Sequence, residues 1–213
     1  IKFRNSIMDL KLSVDYYNAA EKKLFQSYPN YKVLSGILKS EFTISEAELV
    51  SYMMFTEQAN VDGWRTYPEL KERVQYRLGD IEDILDFKQG SIQTKQSSLR
   101  MNASKMTERI GVSLGINVIN KIHGLTEADW AITDDIFING KRVKDFDYEI
   151  SLASDGTKFI QVENKGAVNE DNSYKTPSVS EHYSSIKKKK KCIREREQPK
   201  GESKNQNLYY GTI

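Results

Sequence analysis

The stretch DFDYEISLASDGTKFIQVENKGA, residues 145–167, decides how this 213-residue chain is read. Phe146, Tyr148, Ile150 and Leu152 alternate with Asp147, Glu149 and Ser151, the period-two pattern of a strand with one apolar face. Asp155-Gly156 is a hairpin signal, and Phe159, Ile160 and Val162 open a further strand that runs to about Ala167. On that strand Glu163 and Lys165 point to one side, because successive side chains alternate. Folding back at Asp155-Gly156 sets Asp147, at the start of the first strand, beside Glu163. Two carboxylates and one ammonium are thereby expected at one end of a sheet.

Upstream, Met106, Ile110, Leu114, Val118 and Ile122 recur at every fourth residue and predict a helix over 103–123, ended by Gly124. Gly111, Gly115 and Ile119 form a second ridge on it. A glycine inside a helix costs roughly 1 kcal/mol relative to alanine, so the pair predicts close approach of another backbone. The run 130–138 is apolar and β-branched and is followed by the turn signal Asn139-Gly140. Downstream, a polar loop over 168–178 precedes a helix over 180–197, with Val179, Tyr183, Ile186 and Ile193 on one face, and a last strand over 207–213. The expected order is helix, three-strand meander, helix, strand: an α/β (α+β) fold with a mixed β-sheet flanked by helices.

The first 98 residues read as a helical region for packing, dimerisation or DNA binding, with helices over 14–28, 45–58 and 68–87. Ser45 and Glu48 form a capping-box pattern, and Pro68 suits a first helical turn. The polar stretch 88–98 reads as a linker. A helix-turn-helix around 60–66 is the weaker alternative, and Trp64, Arg65 and Tyr67 are its candidate DNA contacts.

Composition narrows the function classes. With 29% charged residues and no apolar run near the ~18 residues of a membrane span, a cytoplasmic protein with no membrane partner is expected. Cys192 is the single cysteine, so no internal disulfide can form. Only His123, His182 and Cys192 could serve zinc or a nucleophilic triad, which argues against both. Net charge is +2, yet Lys187 to Lys191 is an unbroken basic run. Lys187, Lys188, Lys189, Lys191 and His182 are the candidate nucleic-acid contacts, against the plainer reading of a solvated basic helix. Lys190 falls on the Ile186–Ile193 stripe, where its stem is expected to snorkel.

An acidic residue, any residue and a lysine is by itself a weak signal. Its weight comes from strand placement, the upstream aspartate and the order of elements. The competing reading is an ordinary cross-strand salt bridge, worth only ~0.2–1 kcal/mol. Two carboxylates can hold a hard divalent ion without filling its shell, and a neighbouring ammonium can stabilise extra negative charge on a phosphate.

These residues resemble the PD-(D/E)xK nuclease superfamily, which includes many type II restriction endonucleases. The resemblance rests on Asp147 in FDYEIS, sixteen residues before Glu163, and on Glu163-Asn164-Lys165 in VENKG; Phe146 stands where the family's name has proline. It implies a restriction-endonuclease-like core over 99–213, C-terminally incomplete since the chain stops at Ile213 in an apolar run. It implies Mg²⁺, with Mn²⁺ as a substitute, held by Asp147, Glu163 and the Asn164 carbonyl, with Lys165 assisting the attacking water. Glu108, in TERIG, matches a glutamate that many members carry on the first core helix. Asp145 competes with Asp147 as the first ligand. The implied activity is DNA phosphodiester hydrolysis by a homodimer. A repair, recombination or phage-defence nuclease, or a DNA-binding module without catalysis, are the alternatives.

Overall fold

Six helices and several small sheets, with no barrel, make up the described residues of the computed structural model, a mixed α/β fold. It describes residues 9–28, 30–40, 42–55, 67–88, 91–95, 100–126, 130–133, 136–143, 145–151, 159–166, 179–197 and 207–213. The Asp155-Gly156 turn, Trp64, Arg65 and the side chain of Tyr67 lie outside them.

The chain opens with β1 (Asp9–Leu12), α1 (Ala19–Phe25), α2 (Tyr31–Lys39), β2 (Phe42–Ser45), α3 (Glu46–Phe55) and α4 (Tyr67–Ile84). Then come β3 (Leu85–Lys88), β4 (Ser91–Thr94), α5 (Arg100–His123) and the two-residue β5 (Ala131–Ile132). The rest is β6 (Ile136–Ile138), β7 (Lys141–Val143), β8 (Tyr148–Ser151), β9 (Phe159–Asn164), α6 (Val179–Glu197) and β10 (Leu208–Thr212).

The expected all-helical N-terminal region needs correction. β1 pairs antiparallel with β2, burying Leu10, Phe42 and Ile44, and β3 pairs with β4 inside what reads as helix end and linker. Each strand is four residues long, so the alternation is too short to stand out from a helical background. The helix expected over 14–28 shrinks to α1. Its start is fixed by Asn18, whose Oδ1 accepts from the amides of Ala20 and Glu21, each at 3.0 Å. At Ser45 half of the capping box forms: its Oγ accepts from Glu48 N at 3.1 Å. The Glu48 carboxylate instead accepts from Asn117 on α5 at 2.9 Å.

The main sheet has strand order β10-β9-β8-β5, with β8 antiparallel to β9 and β10 parallel to it. The expected three-strand meander also needs correction. Among the described residues of 130–138, Ala131 and Ile132 pair in the sheet, opposite Glu149 and Tyr148, and Thr133 N adds a bond to the Asp147 carbonyl. Asn139 and Gly140, at φ 52° and 74°, form the expected tight turn, but it joins β6 to β7 in a separate ribbon. Asp134 and Asp135 interrupt the run 130–138, and the apolar residues on either side of them fall into two short strands in place of one long one.

The two long helices cover opposite faces of the sheet. Ile119 and Ile122 of α5 pack with Ile150, Ile160, Val162 and Tyr210, and with Leu34 of α2. Ile186 and Ile193 of α6 pack with Phe146 and Tyr209. The glycine ridge of α5 meets the backbone it predicts: a Cβ on Gly111 would lie 2.6 Å from Gly166 Cα. Gly115 faces the side chains of Asn164 and Thr212. Gly124, at φ +66°, ends α5. Among the described residues no helix is long and apolar enough to cross a membrane.

Candidate active site

Pairing of β8 with β9 fixes the centre of the site. Tyr148 stands opposite Val162 and Glu149 opposite Gln161, so Asp147, one step before β8, falls beside Glu163. Asp147 N donates to the Val162 carbonyl at 3.1 Å, which extends the ladder past the strand's formal end. In return Asn164 N approaches Asp147 Oδ2 at 3.4 Å. Glu163 is completely buried, whereas the Asp147 side chain is about one-third exposed at 36%.

Lys165 follows β9, and its Nζ lies 2.6 Å from Glu163 Oε1. A second ammonium enters from the helix above. Lys189 Nζ on α6 lies 2.5 Å from Glu163 Oε2 and 3.5 Å from Asp147 Oδ1. Both oxygens of the buried glutamate therefore face a positive charge, and one of these charges also spans the gap to the aspartate. Burial and the Asp147 charge push the Glu163 carboxyl above its ordinary range, while Lys165 and Lys189 pull it back. Burial works against the charged form of Lys165. Contact with Glu163 and the charges of Glu163, Asp147 and Glu108 outweigh it and raise the pKa.

Glu108 sits on α5 where that helix touches the end of β9. A Cβ on Gly166 would lie 3.3 Å from Glu108 Cα, so the two backbones are in contact beside Lys165. The Glu108 side chain is exposed and close enough to Lys165 to favour its charge. His182 lies on the other side, in the first turns of α6. It hydrogen-bonds the Gly166 backbone, and burial together with the Lys165 charge lowers its pKa. The rim thus gathers Glu108 and His182 around Lys165.

The remaining expected residues separate. Asp145 turns away from Glu163 and pairs with Arg196 at 2.8 Å, its other oxygen accepting from Phe146 N at 2.8 Å. Asp147, not Asp145, is the aspartate brought to the buried glutamate. Within the lysine run, Lys187, Lys188 and Lys191 are exposed. Lys187 stands over the Tyr183 ring at 5.9 Å, and Lys191 pairs with Glu195 at 3.7 Å, a surface contact of little energetic weight. Lys190 is largely enclosed, and burial lowers its pKa.

The place of Lys189 between the carboxylates is the feature the sequence reading misses. A signal was present: Lys189 lies three residues after Ile186 and four before Ile193, on the face α6 turns to the sheet. Membership of a five-lysine run hid it.

The donor chemistry fits a hard divalent cation. Two carboxylates converge with the backbone of Asn164 between them, and the space bridging Asp147 Oδ1 and Glu163 Oε2 already holds a positive group. Among the described residues no cluster of three or more His, Cys, Asp and Glu is placed to hold a metal, so such an ion would have to complete its shell with carbonyl oxygens and water. No family model, curated protein or solved structure matches the chain.

Proposed function

We propose that the chain is a Mg²⁺-dependent DNA endonuclease of the PD-(D/E)xK type, with a restriction-endonuclease-like core formed by α5, the β10-β9-β8-β5 sheet and α6. The observation that carries this reading is the meeting of Asp147, Glu163 and Lys165 at one end of the sheet, through a register that sequence alone could only anticipate. Asp147, Glu163 and the Asn164 carbonyl would hold the ion. When bound, it would polarise the scissile phosphate and make water a stronger nucleophile.

The protein's own groups supply the rest. Glu163 fixes the Lys165 ammonium from below, so that the charge is oriented before substrate arrives. Lys165 lies where it can hold the attacking water or balance the extra negative charge of the pentavalent phosphorus. Glu108 reinforces the Lys165 charge from the α5 side. Exposed Lys187, Lys188 and Lys191 offer attraction to the DNA backbone that does not depend on sequence. Double-strand cleavage by one site per chain would require two copies, hence a homodimer.

Incubation of supercoiled plasmid with the protein and Mg²⁺ or Mn²⁺ tests the reading. Nicked and linear DNA from the wild type, and none from Lys165→Ala or Glu163→Gln, is the expected result. Absence of cleavage by the wild type with either ion rejects it. Discrete fragments favour restriction, and preference for branched or nicked DNA favours repair. A second reading has one observation behind it: two carboxylates closed by two ammoniums form a self-neutralised network, as a DNA-binding module without catalysis would keep for structure. Metal binding that disappears in Asp147→Ala rejects that second reading.

A further inference from the structure

We propose that Lys189 is a tethered cation standing in the divalent-metal position, and that it must swing out of the site before a metal ion can bind. The inference rests on the metal-binding reading above and concerns how that site is loaded.

Three observations carry it. First, among the ion pairs of the described residues, Lys189 is the cation that touches both carboxylates, at 2.5 Å from Glu163 Oε2 and 3.5 Å from Asp147 Oδ1. Lys165 reaches only the other Glu163 oxygen, Oε1, at 2.6 Å. Asp147 Oδ2 is turned to the Asn164 amide. The oxygens left to grip an ion between the two residues are therefore the pair that Lys189 grips.

Second, the charges already balance. Asp147 and Glu163 contribute two negative charges, and Lys165 and Lys189 two positive ones. A divalent ion entering with both ammoniums in place would be repelled at close range by each, in surroundings where Glu163 is completely buried and screening is weak. Releasing Lys189 removes one of the two repulsions and the overlap of positions.

Third, the two lysines enter from different elements, and Lys189 is the one that comes from the covering helix to lie between both carboxylates. Lys165 follows directly on β9, whose last residues are fixed by β10 pairing, and Lys165 N itself donates to the Thr212 carbonyl at 2.9 Å. Lys189 reaches in from α6 on a flexible four-carbon stem, next to Lys188, which is already in solvent. Its side chain is 16% exposed, so the stem reaches the surface, and its rotation is the movement the proposal requires. The site thus has an internal occupant that satisfies the carboxylates when no metal is present and yields to one.

The test uses the full chain at one fixed pH, with MnCl₂ and MgCl₂ titrated calorimetrically into the wild type, Lys189→Met and Lys188→Met. Met keeps most of the stem and removes the charge, and Lys188→Met removes the same charge from an exposed neighbour. Lys189→Met is expected to bind Mn²⁺ roughly tenfold more tightly than the wild type, a change of about 1.4 kcal/mol. Lys188→Met should bind as the wild type does. In EDTA, Lys189→Met should melt below the wild type, and Mn²⁺ should raise its melting temperature by more. Equal or weaker metal binding by Lys189→Met overturns the competition and leaves the metal site standing, as does equal tightening by Lys188→Met. No binding by any of the three overturns the metal-binding reading and the competition with it. Should Lys189→Met not fold without metal, Mn²⁺ should restore its melting transition; failure to restore it overturns the proposal.

Discussion

The two helices that sandwich β9 meet it in opposite ways. On the α5 side, Ile119 and Ile122 pack on Ile160 and Val162, and just past the strand's end backbone lies against backbone: Gly111 against Gly166, and Gly166 against Thr107 and Glu108. On the α6 side, a few apolar side chains, Ile186 and Ile193, rest on Phe146 and Tyr209, and beside them two carboxylates and two lysines share a half-buried space. The first face is built for position, because close-packed backbone leaves no room for adjustment. The second is built for charge, held by long side chains that can rearrange. Under the proposed function Lys165 gains from both: it is placed by the rigid face and would be used on the adaptable one.

The comparison can be broken most strongly at Lys165. Under the proposed function, Lys165→Ala should lower the cleavage rate by about 10²–10³-fold, the range for loss of one positioned electrostatic group. Its melting temperature should fall as well, because Glu163 stays buried beside the Asp147 charge with Lys189 alone to offset it; cleavage retained by the folded variant would show that Lys165 is chiefly structural. Next in size is Gly111→Val. Its Cβ would lie 2.6 Å from Gly166 Cα, a backbone atom that cannot yield without moving the strand end. A loss of about 3 kcal/mol is expected, at the upper end of ordinary overpacking, read as a lowered urea midpoint. Cleavage should fall with it.

Gly211→Ala sharpens the contrast from the other face. Its Cβ would lie 2.5 Å from Ile186 Cγ2, a branch methyl that moves only with χ1, yet one that belongs to a side chain and not to backbone. The change should cost about 1–2 kcal/mol, less than Gly111→Val because one side chain has to yield and the unfolded chain loses entropy. A loss as large as that of Gly111→Val would show that α6 is seated as tightly as α5.

The smallest effect lies behind α5, where His123 is held between Asn30 Nδ2, at 2.8 Å, and the Tyr210 hydroxyl, at 2.9 Å. Burial lowers its pKa below the ordinary 6.5. The unfolded chain therefore takes up this proton more readily than the folded one. The stability tied to the neutral ring is fully present above pH 6.5 and is lost as pH falls through the folded-state pKa. His123→Gln should flatten that acid slope of the melting temperature; an unchanged slope would assign it to other groups.

Much of this was legible in the residues. The four-residue spacing of Ile110, Leu114 and Val118 and the alternation around Ile150 and Ile160 each have one structural solution, and α5, β8 and β9 appear there. Gly111 announced a close neighbour because a helix tolerates glycine at a cost. The strands β1 to β4 were not legible, since four residues hold two alternations and their pairing depends on contacts far along the chain, such as Asp9 with Ser45. The place of Asp147 at the strand's start favours it over Asp145, but what holds Asp145 elsewhere, Arg196 some fifty residues later, was not legible. Lys189 escaped for the same reason: its partners lie on two strands that sequence places but does not orient.

One arrangement around α5 bears on anyone who would trim this chain. Ile110, Leu114 and Val118 pack against Leu10, Phe42, Ile44 and Leu49, while Leu34 packs with Ile119 and Tyr210. Cutting near residue 98 to excise the sheet and its two long helices would strip the apolar back of α5 and bare it to water. Such an excised piece should aggregate or recruit a substitute surface, so a minimal active version is better sought by shortening surface loops than by discarding the first hundred residues.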